Sequence, residues 1–307
     1  MKILVALDAK HRSEYEVTLR EAINDAKIPF DIVDDTTDPD LIDIIIYQPT
    51  SNIQDFTPYS NLKYVQSIWA GVDSIVKNNT LNVPLCRMVD AGLFEGMREY
   101  VIGHILADHI RIDHYASKSS WDDSEWTPLA RHKTVAILGM GTLGSGVADS
   151  LAQFGFNVIG WTRTQRQSQH QSFHGADGMK QAVAKSDYIV TLLPHTEETE
   201  NIINADLFAS MKPSAMLINP GRGALIDEDA LLKSINNNSL RRAVLDTFKQ
   251  EPLLDNHPFW QHERILVTPH IAAKSRVETA CETIVENLSQ FAKDEPLNYV
   301  VDRELGY

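Results

Sequence analysis

The sequence predicts an α/β protein with two domains, each built on a doubly wound parallel sheet, and with a cleft between them. Short apolar runs recur along the chain, helical stretches separate most of them, and a second series of runs begins at about residue 134. Continuous apolar runs are typical of strands covered on both faces, which indicates parallel sheets. At 307 residues the chain is long enough for two domains of ordinary size.

The first ninety or so residues alternate β-rich runs with polar or helical stretches. The predicted strands are KILVAL (2–7), FDIVD (30–34), LIDIIIY (41–47), KYVQSIW (63–69) and PLCRMV (84–89). The acidic stretch 34–40 is expected to be a solvated loop. A helical pattern then runs from Glu99 to about Lys118.

The second series has the spacing of consecutive βαβ units. Its predicted strands are 134–139, 156–161, 188–194, 215–220, 242–248 and 265–270, and its predicted helices are 143–154, 178–186, 203–211 and 227–235. The segment 274–293 carries apolar residues at helical spacing, and we interpret that stripe as core packing.

Composition restricts the possible partners. The formal net charge is −14, from 42 acidic and 28 basic residues, so the surface repels nucleic acid and anionic membranes. An anionic substrate would need its own local cation. The two cysteines are expected to be buried, reduced thiols, which favours a cytoplasmic location. The N-terminal run ILVAL is too short for a signal peptide, no segment reaches membrane-spanning length, and no metal site is expected.

Gly139, Gly141 and Gly144 form a G-x-G-x-x-G motif directly after a predicted strand and at the start of a predicted helix. In this context the first glycine permits a tight turn, the second lets the backbone approach a pyrophosphate, and the third lets the helix pack on the strand. The motif predicts a dinucleotide site, which Thr142 and Leu143 are also expected to line. The alternative is a purely structural turn.

The tip of the next strand, GWTRTQR (160–166), lacks the acidic residue that usually holds the ribose 2′-hydroxyl of NAD. Thr162 stands there instead, and Arg163 and Arg166 follow; a guanidinium can fork onto phosphate oxygens. NADP(H) is therefore the predicted cofactor, with NAD(H) as the alternative. The two arginines would otherwise be solvated surface residues.

Several motifs in the second half resemble, in order and spacing, the D-2-hydroxyacid dehydrogenase family. They are TLLPHTEET (191–199), LINPGRGALIDEDAL (217–231), AVLDTFKQEPL (243–253) and VTPHIAA (267–273). IWAGVDSI (68–75) extends the match into the first domain. GLFEGMREY (92–100) and the tail VDRELGY (301–307) are most similar to the bacterial glyoxylate/hydroxypyruvate reductase A type.

The resemblance implies a catalytic trio of Arg222, Glu251 and His270. Histidine suits a general acid because imidazole titrates near neutrality. A carboxylate such as that of Glu251 would hold the other ring nitrogen and stabilise imidazolium. Arg222 would bridge the carbonyl oxygen and the carboxylate of a 2-oxo acid and supply the missing local cation.

The resemblance also implies other contacts with ligands. Backbone N–H groups of Ala70, Gly71 and Val72 are expected to bind the substrate carboxylate, and Asp246 is expected to contact the nicotinamide carboxamide or ribose. Further expected cofactor contacts are Leu193 and Pro194. Trp69, Tyr47 and Trp126 are candidate pocket walls. A bulky Trp69 would narrow the pocket and favour two- or three-carbon acids; the alternative is that it points into the core.

These observations predict two Rossmann-like domains, one flavodoxin-like and one binding NAD(P). Residues 1–98 and 275–307 would form the substrate-binding domain, and residues 99–274 the nucleotide domain. The expected activity is NADPH-dependent reduction of glyoxylate and hydroxypyruvate by a homodimer, with the region near 100–130 contributing to the dimer. The alternatives are an NAD-dependent dehydrogenase of a larger D-2-hydroxy acid and a non-catalytic dinucleotide-sensing protein.

Overall fold

The computed structural model describes residues 1–123, 126–304 and 306. The chain divides into two compact units. Unit 1 comprises Met1–Leu93 and Lys274–Tyr307, and unit 2 comprises Phe94–Ala273. The sequence placed the corresponding boundaries near residues 98 and 274.

Unit 1 contains a five-stranded sheet in which every pairing is parallel. Its strands are β1 (Lys2–Ala6), β2 (Asp31–Val33), β3 (Ile44–Tyr47), β4 (Tyr64–Ser67) and β5 (Leu85–Cys86). Their order is β2-β1-β3-β4-β5. Ile3 and Val5 of β1 face one apolar cluster and Leu4 and Ala6 face another, so both faces of the sheet are buried.

Unit 2 contains a seven-stranded sheet that is also parallel throughout. Its strands are β6 (Thr134–Leu138), β7 (Asn157–Thr162), β8 (Gln171–His174), β9 (Tyr188–Thr191), β10 (Met216–Asn219), β11 (Arg242–Leu245) and β12 (Ile265–Val267). The order β12-β11-β10-β9-β6-β7-β8 reverses direction between β6 and β9. Open parallel sheets bind ligands beyond the carboxyl ends of their strands at such a reversal.

Eight α-helices lie within the described residues. They are α1 (Ala9–Ala26), α2 (Ala91–His109), α3 (Ile112–Ala116), α4 (Thr142–Gln153), α5 (Gly175–Lys185), α6 (Ala205–Ser210), α7 (Glu228–Asn236) and α8 (Val277–Ala292). Asp8, Asn204 and Asp227 cap α1, α6 and α7 by accepting hydrogen bonds from backbone N–H groups. None of the helices in the described residues is long and apolar enough to cross a membrane.

Burial of both faces of the sheet explains why the strands were recognisable from the sequence. In β6, Ala136 and Leu138 face one core while Val135 and Ile137 face the other, so the strand is apolar throughout. The predicted parallel α/β class is therefore confirmed. The predicted packing of the last helix is also confirmed, because Ala280, Cys281, Ile284 and Leu288 of α8 all belong to a buried cluster of unit 1.

Two elements differ from the prediction. The four-residue edge strand β8 was not predicted, because QSFH contains one large apolar residue and lies half in solvent. The helix predicted from Glu99 to Lys118 begins earlier, at Ala91, and is divided into α2 and α3. Arg111 lies between the two helices with a left-handed backbone (φ 60°), which an α-helix does not accommodate.

Both cysteines are buried and unpaired, as predicted. They lie in the same apolar cluster of unit 1, and burial raises the pKa of each thiol to about 12. Thiols in this state are unreactive at neutral pH.

The buried centre of the unit 2 sheet is expected to dominate the stability of that unit. Leu217 on β10 is completely buried, so Leu217→Ala should lower the free energy of unfolding by about 2–5 kcal/mol through lost contacts and a cavity. Urea unfolding followed by circular dichroism measures the loss. Leu254→Ala removes an exposed leucine and should cost less than about 0.5 kcal/mol. Equal effects of the two substitutions would contradict the assigned core.

Candidate active site

The glycine loop after β6 has the shape that a bound pyrophosphate requires. Gly139 has φ 108°, and a Cβ there would lie 2.4 Å from the Leu192 carbonyl oxygen. A Cβ on Gly144 would lie 1.8 Å from the Gly139 carbonyl oxygen. Both positions therefore exclude a side chain. A Cβ on Gly141, in contrast, meets nothing within 4 Å, so the middle of the loop is open to a ligand.

Helix α4 begins at this open position. Gly141 is its N-cap residue and provides no side-chain hydrogen bond, in contrast to the capped helices α1, α6 and α7. The first N–H groups of α4, beginning at the exposed Thr142 and the half-buried Leu143, can therefore bond to a ligand, and the helix dipole favours an anion there. The residues present fit the diphosphate of a dinucleotide.

The segment after β9 lies on the other side of the sheet reversal. Strands β6 and β9 pair in register up to Leu138 and Thr191, so the chain beyond each strand emerges at the same edge. The close approach of Gly139 to Leu192 shows that the glycine loop and the segment after β9 are in direct contact. Leu193 and Pro194 follow and are half-buried, which leaves part of each available to a cofactor.

The tip of β7 carries no carboxylate. Thr162 is buried, and its hydroxyl donates to the Thr164 carbonyl at 2.7 Å. The Arg163 side chain is 56% exposed, and its Nη1 lies 2.5 Å from Oε2 of Glu198. Arg166 is exposed in the loop that follows. Arg163 and Arg166 thus follow β7, as predicted for residues that select the cofactor, and Arg163 is paired with the carboxylate of Glu198.

Arg222 lies in a tightly confined turn after β10. Buried Asn219 organises this turn: its amide nitrogen donates to the Arg222 carbonyl at 2.9 Å, and its amide oxygen accepts from the Thr191 hydroxyl. A Cβ on Gly223 would lie 2.0 Å from the carbonyl carbon of Phe248. The glycine after Arg222 therefore brings this turn directly against the backbone that follows β11.

Glu251 and His270 form a hydrogen-bonded pair. Oε2 of Glu251 lies 2.7 Å from Nδ1 of His270, and Oε1 accepts from the Phe248 N–H at 2.9 Å. Burial opposes ionisation of Glu251. The hydrogen bonds from His270 and Phe248, with the charges of His270 and Arg222, outweigh it and hold the pKa of Glu251 below its usual value. The carboxylate is ionised at neutral pH, and the His270 side chain is 49% exposed.

Asp246 has partners that the sequence did not indicate. Its carboxylate is completely buried and accepts three hydrogen bonds from the segment after β12. The donors are the Thr268 hydroxyl at 2.6 Å and the backbone N–H groups of Ile271 at 2.9 Å and Ala272 at 2.8 Å. These contacts make Asp246 the anchor of the loop that carries His270. Its contact with the nicotinamide or ribose stays a prediction.

The residues 69–72, predicted to contact the substrate, lie in unit 1 and follow β4. Trp69 is exposed, Ala70 and Gly71 are half-buried, and the carbonyl of Val72 accepts hydrogen bonds from Ile75 and Val76. Binding of the substrate carboxylate by the backbone of residues 70–72 stays a prediction.

The candidate pocket walls differ in exposure. Tyr47 is 2% exposed and packs on Phe56 with ring centroids 5.4 Å apart, so it offers almost no surface to a ligand. Trp126 in unit 2 is 92% exposed.

Within unit 2, the structure brings Glu251 and His270 into contact, with the turn of Arg222 beside them.

Two residues that support the loop of His270, Thr268 and Tyr100, were not predicted from the sequence. Thr268 bonds to Asp246 and also lies 2.7 Å from the hydroxyl of Tyr100 on α2. Because the Thr268 hydroxyl donates to Asp246, the Tyr100 hydroxyl is the donor to Thr268. The pairing of residues 168 positions apart leaves no local pattern. The proximity of Thr268 to the Pro-His motif was the only available signal.

Comparison with known proteins identifies the family. Residues 101–272 match the family described as D-isomer specific 2-hydroxyacid dehydrogenase, NAD binding domain. A relative named glyoxylate/hydroxypyruvate reductase A from Serratia proteamaculans is 40% identical over 258 residues, which cover 80% of this chain and 82% of the relative. A relative of the same name from Escherichia fergusonii is 35% identical over 301 residues, which cover 94% of each chain.

Two solved structures are similar over the whole chain. A D-isomer specific 2-hydroxyacid dehydrogenase from Xanthobacter autotrophicus, in complex with NADPH and MES, has a TM-score of 0.91 at 28% identity, covering 100% of this chain and 99% of that one. An NADPH-dependent glyoxylate/hydroxypyruvate reductase from Sinorhizobium meliloti, in complex with NADP and sulfate, has a TM-score of 0.85 at 32% identity and the same coverage. The chain therefore belongs to the D-isomer specific 2-hydroxyacid dehydrogenase family.

Proposed function

We propose that this protein reduces glyoxylate and hydroxypyruvate to the corresponding 2-hydroxy acids with NADPH. The observation that carries the proposal is the hydrogen-bonded Glu251–His270 pair, with Arg222 acting on its charge, in a unit that also has a glycine loop shaped for a dinucleotide. The relatives named glyoxylate/hydroxypyruvate reductase A and the NADPH-dependent Sinorhizobium meliloti enzyme support this choice of substrates and cofactor.

The cofactor would be held by the glycine loop, the first turn of α4, Leu193, Pro194 and the cations after β7. When bound, the nicotinamide supplies the hydride that reduces the substrate carbonyl. Arg163 and Arg166 would bind the 2′-phosphate, since a guanidinium offers several N–H donors in a fixed plane. Thr162 removes the repulsion that a carboxylate would exert on that phosphate.

His270 is the proposed general acid. Its Nδ1 is engaged with Glu251, so Nε2 is the nitrogen left to donate a proton to the substrate oxygen. The Glu251 carboxylate stabilises the imidazolium form and fixes the orientation of the ring. It is itself fixed by the Phe248 N–H, so the pair is ordered before substrate binds.

Arg222 is the proposed electrostatic group. It would bind the substrate carboxylate and the carbonyl oxygen, where negative charge increases as the hydride arrives. A local cation is needed because the protein carries a net charge of −14 and repels an anionic substrate at long range. The confined turn around Gly221 and Gly223 restricts the backbone that presents this side chain.

We also propose that unit 1 is the substrate-binding domain and that the protein is a cytoplasmic homodimer. The match to the family's NAD-binding domain lies within unit 2, which leaves unit 1 for the substrate role. Residues 110–123 and 126–129 support the dimer because they include exposed large apolar side chains, among them Trp121 and Trp126 at 92% each. The two free, buried cysteines support a reducing compartment.

Removal of the proposed acid should abolish most of the activity. His270 has a left-handed backbone (φ 52°), which asparagine tolerates better than alanine, so His270→Asn is the cleaner substitution. It should lower kcat for glyoxylate by about 100-fold or more, the usual contribution of a general acid, with the Kd for NADPH unchanged. His132→Asn, at an exposed histidine, should leave kcat unchanged. A near-normal rate in His270→Asn would remove His270 from the mechanism.

The charge of Glu251 should be visible in the pH profile. Its lowered pKa keeps it ionised through the neutral range, where it stabilises protonated His270. Because the pKa of Glu251 is lowered, activity that depends on its carboxylate should be present at neutral pH and lost as the pH falls far enough to protonate it. Glu251→Gln should lower kcat/KM at neutral pH by about tenfold or more and remove this acid limb, because the side chain that orients the ring and stabilises imidazolium is lost. Glu263→Gln, which removes an exposed carboxylate elsewhere in unit 2, is the control. An unchanged kcat/KM and acid limb in Glu251→Gln would show that Glu251 does not act through His270.

The unmutated protein should oxidise NADPH in the presence of glyoxylate or hydroxypyruvate and prefer NADPH to NADH in kcat/KM. Arg163→Ala should reduce this preference by about tenfold, because a charge-assisted hydrogen bond to phosphate is lost at an exposed site. Arg131→Ala removes an exposed arginine of unit 2 and should leave the preference unchanged. A preference for NADH in the unmutated protein would refute the assigned cofactor, and turnover of larger 2-oxo acids alone would refute the substrates.

A further inference from the structure

Arg163 forms an ion pair with a residue that the assignment of the cofactor site leaves unused. Its Nη1 lies 2.5 Å from Oε2 of Glu198, which is 35 residues away in the sequence. Both side chains are more than half exposed, at 56% and 66%. Glu198 belongs to the turn that follows β9, and Arg163 follows β7 directly.

Local hydrogen bonds fix the backbone at both ends of this pair. The Arg163 carbonyl accepts from the Gly175 N–H at 3.2 Å. On the other side, the Thr199 hydroxyl donates to the Pro194 carbonyl at 2.7 Å, and the Thr196 N–H donates to the Thr199 hydroxyl oxygen at 2.8 Å. The pair can therefore open by side-chain rotation without movement of either loop.

The two residues come from opposite sides of the glycine loop. The Gly139 N–H donates to the carbonyl of Trp161 in β7, and a Cβ on Gly139 would collide with Leu192 beyond β9. The Arg163–Glu198 pair therefore joins the two segments that flank the proposed dinucleotide site. Glu198 places a carboxylate on the guanidinium proposed to bind the 2′-phosphate.

We propose that Glu198 is a specificity-determining residue that competes with the 2′-phosphate of NADP(H) for Arg163. This inference rests on the proposed function, in particular on the role of Arg163. An NAD(H) molecule leaves the ion pair intact, whereas the 2′-phosphate must displace the Glu198 carboxylate and then tolerate its negative charge nearby. Glu198 therefore limits how strongly the protein prefers NADP(H).

The exposure of the pair sets the size of the effect. Exposed ion pairs contribute at most about 1 kcal/mol, so the phosphate can displace Glu198. Loss of this competition corresponds to an increase of about fivefold in the affinity for ligands with a 2′-phosphate. Repulsion between the carboxylate and the phosphate acts in the same direction. Removal of the Glu198 charge should therefore tighten binding of ligands with a 2′-phosphate and leave the others unchanged.

The test is isothermal titration calorimetry of the full chain and its Glu198→Gln variant. The probes form two matched pairs: NADPH with NADH, and adenosine 2′,5′-bisphosphate with adenosine 5′-phosphate. Glu198→Gln should lower the Kd of the two ligands with a 2′-phosphate by about fivefold and change the other two less than twofold. Glu200→Gln makes the same change of net charge in the same turn and should not alter the ratio within either pair.

A double-mutant cycle with Arg163→Ala identifies the route of the effect. Because the competition acts through the guanidinium, Glu198→Gln should lower the Kd of adenosine 2′,5′-bisphosphate by less in the Arg163→Ala background than in the unmutated protein, and the remaining change is the direct repulsion between carboxylate and phosphate. An unchanged or raised Kd for NADPH in Glu198→Gln, with Arg163 present, would overturn the inference. If the unmutated protein binds both dinucleotides equally and Arg163→Ala changes neither, the proposed cofactor preference fails as well.

Discussion

The candidate site depends on the hydrogen bonds to the buried carboxylate of Asp246. A fully buried carboxylate without partners would be strongly unfavourable, but this one accepts three hydrogen bonds from the segment 268–272. The Asp246 carbonyl also accepts from the His270 N–H at 2.9 Å, and this contact holds His270 in its left-handed conformation. Because the backbone of His270 is fixed in this way, its ring reaches Glu251.

The charges of unit 2 are arranged to receive anions on a protein that is itself anionic. The net charge is −14, yet the glycine loop, the uncapped start of α4 and Arg163 offer donors at one part of the sheet edge. Arg222 offers a cation at another. Two carboxylates of the candidate site have defined partners: Asp246 binds backbone and hydroxyl donors, and Glu251 binds His270 and Phe248. Their negative charge is thus directed to protein donors rather than to incoming ligands.

The sequence predicted the elements whose signals are local. Continuous apolar runs identified eleven of the twelve strands in the described residues, and the glycine spacing located a loop in which two positions exclude a Cβ. What the sequence could not predict depends on long-range partners. The strand β8 exists because β7 offers it an edge to pair with, and Asp246 became an anchor because Thr268, Ile271 and Ala272 surround it. Glu198 is one of several acidic residues in HTEETE, and only the fold brings it to Arg163.

The strand order separates the two tasks of unit 2. Residues proposed for the chemistry follow β10, β11 and β12, whereas residues proposed to bind and select the cofactor follow β6, β7 and β9. His270 and Glu251 are positioned by Asp246 and Phe248, which both follow β11. Substitutions after β7 or β9 can therefore change the proposed cofactor preference while these contacts stay in place.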